Sequence, residues 1–335
     1  MVEGRPDSVR RRLIGGAAVA GLTQRSDAVR PLKKANAKDA RETLAYLSLA
    51  APALTLPERA LPRLARAVAR VAALRAAPAP KVEAYRRAVL GPAATPDRQA
   101  EIDRGVIESY LLDRFYLLRC HRPGGWRPEA RIEGDSRIAS ALERGSGALL
   151  WVMPLRVSDF VTKIALARAG HGVAHLSRFS HPGSNTRYGL ARLNPVRTKI
   201  ESRYVERVVI GRDNRVGGRP TLDVLAERLR ANGIVSITVG DSCRHTLTVP
   251  LLSGAIRLST GPAHLAASTG APLIPISTVA EAPGRFLVDV GAPLDAGGQP
   301  PGPDRIEAMS RDFANRLGPF ARHWPEQFPW TRFCG

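Results

Sequence analysis

From residue 41 to about 125, apolar positions recur every three to four residues, the spacing of amphipathic helices. The segment "RALPRLARAVARVAALR" (59–75) puts Leu64, Val68 and Val71 on one stripe and Arg63, Arg66 and Arg70 on another. "GVIESYLLDRFYLLRC" (105–120) is richer in apolar groups and predicts a buried helix. After the turn-rich "HRPGGWRPEARIEG" (121–134) the texture changes. "GALLWVM" predicts a buried strand, "SDFVTKIALARAG" a helix closed by Gly170, and "GVAHLSRF" a second strand. "TLDVLAERLRANG" (221–233) and "GPAHLAASTG" (261–270) predict helices; "IVSITVGD", "APLIPISTV" and "GRFLVDVG" predict strands. Near the end, Ile306, Met309, Phe313 and Leu317 form one helical stripe. Strands alternating with helices predict an α/β fold, a mixed sheet flanked by helices. The expected layout is a basic, weakly ordered arm (1–40), a helical N-terminal layer (41–130) and an α/β core with a C-terminal helix and tail (131–335).

Composition narrows the classes. The chain has 335 residues, 50 Lys and Arg against 30 Asp and Glu, and a formal charge of +20. Such a surplus favours polyanionic partners: anionic lipid headgroups, an acidic carrier protein or nucleic acid. No zinc-finger spacing, aromatic RNP strand or basic zipper accompanies it, so nucleic acid is not expected. Cys120, Cys243 and Cys334 are too scattered for a disulfide framework or a metal knuckle. No apolar run approaches the roughly 20 residues of a membrane-spanning helix. "SVRRRLIGGAAVAGL" near the start has a basic stretch before a short apolar one, without a clear cleavage site, and is expected to be a membrane-touching or disordered arm. The basic helix at 59–75 suits either an anionic membrane surface or a packed helix with solvated arginines.

Function in open α/β sheets concentrates where strands end. Polar groups cluster at "MPLRVSD" (153–159), "SRFSHPGSNTR" (177–187) and "GDSCRH" (240–245). The loop "VPLLSGAIRLSTGP" (249–262) feeds a helix through Ser259, Thr260 and Gly261, whose backbone amides are candidates to face an anion. Arg178 and Arg244 are candidate phosphate grips, since guanidinium donates two parallel hydrogen bonds to phosphate oxygens. Asp241 and Asp159 are either site carboxylates or a turn and a helix-capping residue.

The order of these blocks resembles the bacterial lipid A biosynthesis acyltransferases, the lauroyl/myristoyl branch of the lysophospholipid acyltransferase superfamily. The strongest similarity runs through "GDSCRHTLTVPLLSGAIRLSTGPAHLAASTGAPLIPI" (240–276), and the tail "PEQFPW" (325–330) is similar to the family's closing motif. "EGDSRIASALERGSGALLWVMP" (133–154) looks like the segment that leads into the family's catalytic loop, and "SRF" (177–179) stands at its basic turn. The resemblance covers about 60 to 320 plus the tail.

It implies a lysophospholipid-acyltransferase-like fold and acyl transfer from acyl carrier protein or acyl-CoA to a hydroxyl or amine of a lipid or other amphiphile. The place of work would be the cytoplasmic face of the inner membrane, peripherally bound to an anionic surface. No metal or other cofactor is implied. In the family a His-x-x-x-x-Asp/Glu block supplies the base that takes the acceptor's proton, and the acid orients the imidazole. Here the acid matches Asp159, but Pro154 stands where the histidine belongs. Three readings stay open: a pseudoenzyme that binds lipid or a partner protein, a substitute base, or reaction by proximity alone. Candidate substitute bases are His245, then His264, then His175.

Overall fold

The computed structural model describes residues 32–74, 78–157, 160–180, 183–211, 215–217, 219–240, 245–294, 298–300 and 302–333. The apolar segment at 13–22, Asp159, Asp241, Cys243, Arg244 and Cys334 lie outside them. Residues from Lys33 onward form one compact unit.

Four helices come first: α1 (Ala37–Thr55), α2 (Leu61–Ala73), α3 (Pro80–Leu90) and α4 (Pro96–Arg119). Helix α1 begins inside the span expected to be an arm. The reason is local: the Asn36 side chain accepts from the Asp39 amide while the Asp39 carboxylate accepts from the Asn36 amide, so two orphan donors are satisfied at once. Strand β1 (Glu129–Glu133), α5 (Ser136–Glu143), β2 (Ala148–Val152), α6 (Val161–Arg168) and β3 (Val173–Arg178) follow. Next come α7 (Asn194–Glu201), β4 (Glu206–Ile210), the short ribbon β5 (Arg215–Val216) and β6 (Arg219–Pro220), α8 (Thr221–Arg230) and β7 (Ile234–Thr238). The chain ends through β8 (Thr246–Leu251), β9 (Gly254–Ser259), α9 (Gly261–Thr269), β10 (Leu273–Ala282), β11 (Arg285–Val290), α10 (Pro303–His323) and α11 (Trp330–Phe333).

Seven strands form one sheet in the order β1-β11-β10-β2-β7-β3-β4. The run from β10 to β4 is parallel, while β11 is antiparallel to β10 and parallel to β1, so the sheet is mixed. Central β2 is buried on both faces, which explains its unbroken apolar sequence. Leu149 and Trp151 join the core shared with α8, α9 and α10, whereas Ala148, Leu150 and Val152 join the core shared with α5 and α6. The α10 stripe Ile306, Met309, Phe313 and Leu317 is buried, and Phe313 stacks on Trp151 with ring centroids 4.1 Å apart.

Two local expectations need correction. The stretch at 249–262 is no loop: β8 and β9 pair antiparallel, Val249 against Ile256 and Leu247 against Leu258, with Thr248, Pro250, Ala255 and Arg257 turned outward. In the turn-rich stretch before residue 134, Glu129–Glu133 is an edge strand paired with β11. On α2, Leu61, Pro62, Ala65 and Ala69 are the buried positions, and α4 is that helix's main neighbour. Val68 and Val71 stay 40% and 52% exposed beside Arg66 and Arg70. Helix α1 also leaves Leu44 and Leu47 largely exposed.

Candidate functional site

Strands β2, β7, β3 and β10 run the same way, so their carboxyl ends share one edge of the sheet. The loop leaving β2 is tied down there. Met153 N donates to Ile276 O at 2.7 Å, Leu155 N to Met153 O at 2.9 Å, and Arg156 N to Gln327 O at 2.9 Å. The last bond explains the tail motif physically. The Gln327 side chain exchanges two 2.9 Å hydrogen bonds with the Ala280 backbone, and Trp330 Nε1 donates to Pro325 O at 2.7 Å. These clamps set Pro329 and Arg332 beside the β2 loop.

Pro154 opens onto a cavity of about 370 Å³ walled by α1, α4, the β2 loop, the start of α7 and the tail. Among the described residues five cationic side chains line it: Lys38, Arg114, Arg156, Arg197 and Arg332. Among the described residues three carboxylates face the same space, and each is held by neighbours. Asp39 accepts from Ser184 Oγ and Thr186 Oγ1, both at 2.7 Å. Glu42 bonds Arg114 Nη2 at 2.7 Å, and Asp113 bonds Arg197 Nη2 at 2.9 Å. Burial works against the Asp39 charge, but the bonds from Ser184, Thr186 and the Asn36 amide outweigh it and hold the carboxyl below its usual range. Aromatic faces fix the guanidinium planes: Arg114 Cζ sits 4.5 Å from the Tyr110 ring centre and 5.1 Å from Tyr46, and Arg156 Cζ sits 5.5 Å from Tyr110. Burial disfavours the Arg114 charge, yet Tyr110 and Glu42 more than compensate and raise its pKa. Among the described residues no imidazole lines the cavity.

The histidines lie elsewhere on the edge. Ser259 N donates to Gly240 O at 2.9 Å and Thr260 N to His245 O at 3.2 Å, which brings the exit of β7, the end of β9 and the start of α9 together. His245 and His264 therefore share one neighbourhood, both exposed. Partial burial, and then the nearness of His245, lower the pKa of His264, which favours its neutral form. The same bonds bear on the expectation of an anion at the 259–261 amides. Two of these donors already serve backbone carbonyls, and the next helix residue, Pro262, has no N–H. Arg178 is exposed at the end of β3 and does not line the cavity. His175 is buried within the sheet, with Nδ1 2.8 Å from Ser236 Oγ on the neighbouring strand, so it is part of the packed core.

The constellation thus divides in two. Pro154 belongs to the cationic cavity, while His245, His264, Ser259, Thr260 and Gly261 gather at α9. Of the cavity's described cations, Arg156 stands in the polar 153–159 stretch, and the others carry no motif. Only Tyr110 and Arg114, four apart on one helix face, gave a local hint. Among the described residues no cluster of three or more His, Cys, Asp or Glu is placed to hold a metal, and no helix is long and apolar enough to cross a membrane. No protein-family model matches the chain, and no curated protein sequence matches it significantly.

Proposed function

We propose that this chain is a member of the acyltransferase-like class whose β2-exit cleft binds an acyl donor or amphiphile without histidine-driven transfer. The supporting observation is the lining of that cleft: Pro154 replaces the expected base, and no described imidazole reaches the cavity. Proline offers no side-chain proton acceptor, and a hydroxyl acceptor needs one to attack a thioester at a useful rate. The partners proposed are acyl carrier protein or acyl-CoA, a lipid or amphiphilic acceptor, and an anionic membrane surface at the inner membrane's cytoplasmic face. Exposed Val68 and Val71 beside Arg66 and Arg70, with exposed Leu44 and Leu47, support the surface contact. The test is cosedimentation with vesicles of mixed anionic and neutral lipid, together with single-turnover acylation using acyl-CoA and a lysolipid. Binding released by raised salt, with no transfer above thioester hydrolysis, is the expected result.

A second reading has its own observation. Partial burial, and then His245 close by, lower the His264 pKa, which favours the neutral imidazole that a substitute base at the α9 start requires. It predicts that transfer occurs and falls about 100-fold or more in His264→Ala.

A further inference from the structure

Helix α1 buries Asp39, Tyr46 and Ala53, and α4 is its main neighbour. Its far side is a stripe of exposed apolar residues: Ala37, Ala40, Leu44, Leu47, Ala51 and Leu54. Leu44 and Leu47 are 68% and 69% exposed. The stripe advances by three and four residues in strict alternation, two per heptad, the period of a seam that packs on a second helix. A helix lying in a lipid interface instead sets aromatic rings in a wider apolar face and lines its edges with cations. From Leu44 to Thr55 α1 has no charged residue, and its one aromatic ring, Tyr46, is buried. Beside the first half of the stripe an open groove of about 420 Å³ runs between Ala40, Leu44, Leu47 and Tyr188, with room for side chains of a facing helix. Charge sets the direction of that helix. The exposed cations Lys33, Lys34, Lys38 and Arg41 stand at the amino end of α1, while its last turn has no basic residue and its carbonyl end is partly negative. A parallel pair would set two cationic ends side by side; an antiparallel pair sets each on the carbonyl end of the other.

We propose that a second copy of this chain covers the stripe, the two α1 helices packing antiparallel about a twofold axis. The heptad positions then match: Leu44 faces the partner's Leu47, Ala40 faces the partner's Ala51, and Ala37 faces the partner's Leu54. Twofold symmetry makes each of these contacts twice. The leucines fill the centre, and the alanines on either side let the backbones approach. A helix of 19 residues is about 28 Å long, so the seam lies at the small end of specific interfaces and the dimer is weak, with Kd on the order of 10 μM. The dimer stands whether or not the chain handles acyl groups. It uses the same leucines as the surface contact proposed above, so self-association and vesicle binding compete.

Sedimentation equilibrium on the whole chain, without lipid or acyl donor, tests it. The average mass should climb from monomer toward dimer between about 1 and 100 μM. Leu44→Gln and Leu47→Gln change exposed positions, so the fold is kept, and each should raise Kd about tenfold or more because each leucine is buried twice in the dimer. Raised salt should leave the dimer as strong or stronger, since screening relieves repulsion between two chains of charge +20, whereas it weakens capture by anionic vesicles. Cross-linking reads the direction. With Cys243 and Cys334 changed to serine, Ala40→Cys combined with Ala51→Cys should link two chains on mild oxidation. Ala40→Cys alone should not, because its symmetry mate lies about 16 Å away along the seam. A monomer at about 100 μM, a Kd unchanged in both leucine variants, or linking by Ala40→Cys alone would overturn the proposal. A monomer whose leucine variants lose vesicle binding assigns the stripe to lipid and overturns it equally. Mass and cross-links are read without lipid or donor, so they succeed or fail independently of the acyl reading.

Discussion

The cavity at the exit of β2 and the histidine pair at the exit of β7 lie on the ends of adjacent strands, yet they are built in opposite ways. The cavity draws side chains from widely separated parts of the chain, buries most of their charge and fixes it with ion pairs and ring stacking. The histidines are exposed and positioned by backbone bonds at the end of a hairpin. Burying charge costs free energy that only good partners offset, so an interior crowded with charge signals an arrangement held in place by many contacts. A surface imidazole carries no such cost, and its presence says correspondingly little. The difference favours the cavity over the α9 pair as the place of the proposed binding.

The harshest way to break the contrast is to undermine α7, which carries Arg197 into the cavity. Glu201 is fully buried and bonds Lys163 at 2.8 Å. Glu201→Ala should cost about 3–5 kcal/mol, because Lys163 is left buried without its carboxylate. A urea-unfolding midpoint unchanged from the parent would show the pair to be inconsequential. A gentler lesion is Asp39→Asn, expected to cost about 1–3 kcal/mol at neutral pH through lost hydrogen bonds to Ser184 and Thr186. The native Asp39 carboxyl titrates below its ordinary value of 3.8, so its contribution is present above that pH and lost as pH falls through the native pKa. Urea curves for the two proteins should therefore converge in strong acid and separate toward neutrality.

Two smaller effects sharpen the comparison. Cys120 closes α4, the helix that carries Tyr110, Asp113 and Arg114, and burial pushes its thiol up to about 12. With Cys243 and Cys334 changed to serine, iodoacetamide labelling of Cys120 at pH 8.5 should require unfolding; prompt labelling of the native protein would mean α4 opens locally. The same shift predicts stability intact below the ordinary thiol value of 9.0 and lost as pH rises toward about 12. Smallest is the α9 effect. His264 titrates below its ordinary value of 6.5, so protonation favours the unfolded chain and stability falls as pH drops through that region. His264→Ala should flatten this acid-side slope in thermal melts, and an unaltered slope would assign it to another group.

The parts of the fold legible in the sequence are those with one uninterrupted period. Buried β2 and the α10 stripe depend only on which residues are apolar and how they are spaced. The β8–β9 hairpin hid its alternation behind Pro250 and a turn in which Leu252, not glycine, takes the positive φ of 50°. Strand β1 hid because an edge strand half-buries only Ala130 and Ile132 and turns its charges outward. The cavity was illegible for a different reason. Arg114 is one of 50 basic residues, and apart from its helix neighbour Tyr110 only the tertiary contact with Tyr46 of α1 distinguishes it from a solvated neighbour. Motif positions such as Arg178 lie away from the cavity, whereas the cations that converge come from α1, α4, the β2 loop, α7 and the tail.

The central claim, a binding cleft at Pro154 that does not run histidine-driven transfer, is tested most directly by single-turnover acylation with the parent, His245→Ala, His264→Ala and the double variant. Acyl-CoA and acyl carrier protein serve as donors and a lysolipid as acceptor, with folding checked by circular dichroism. All four proteins should show the same rate, no faster than thioester hydrolysis without protein. Transfer by the parent that falls about 100-fold or more when His264 or His245 is removed would contradict the claim and move the chemistry to the α9 start.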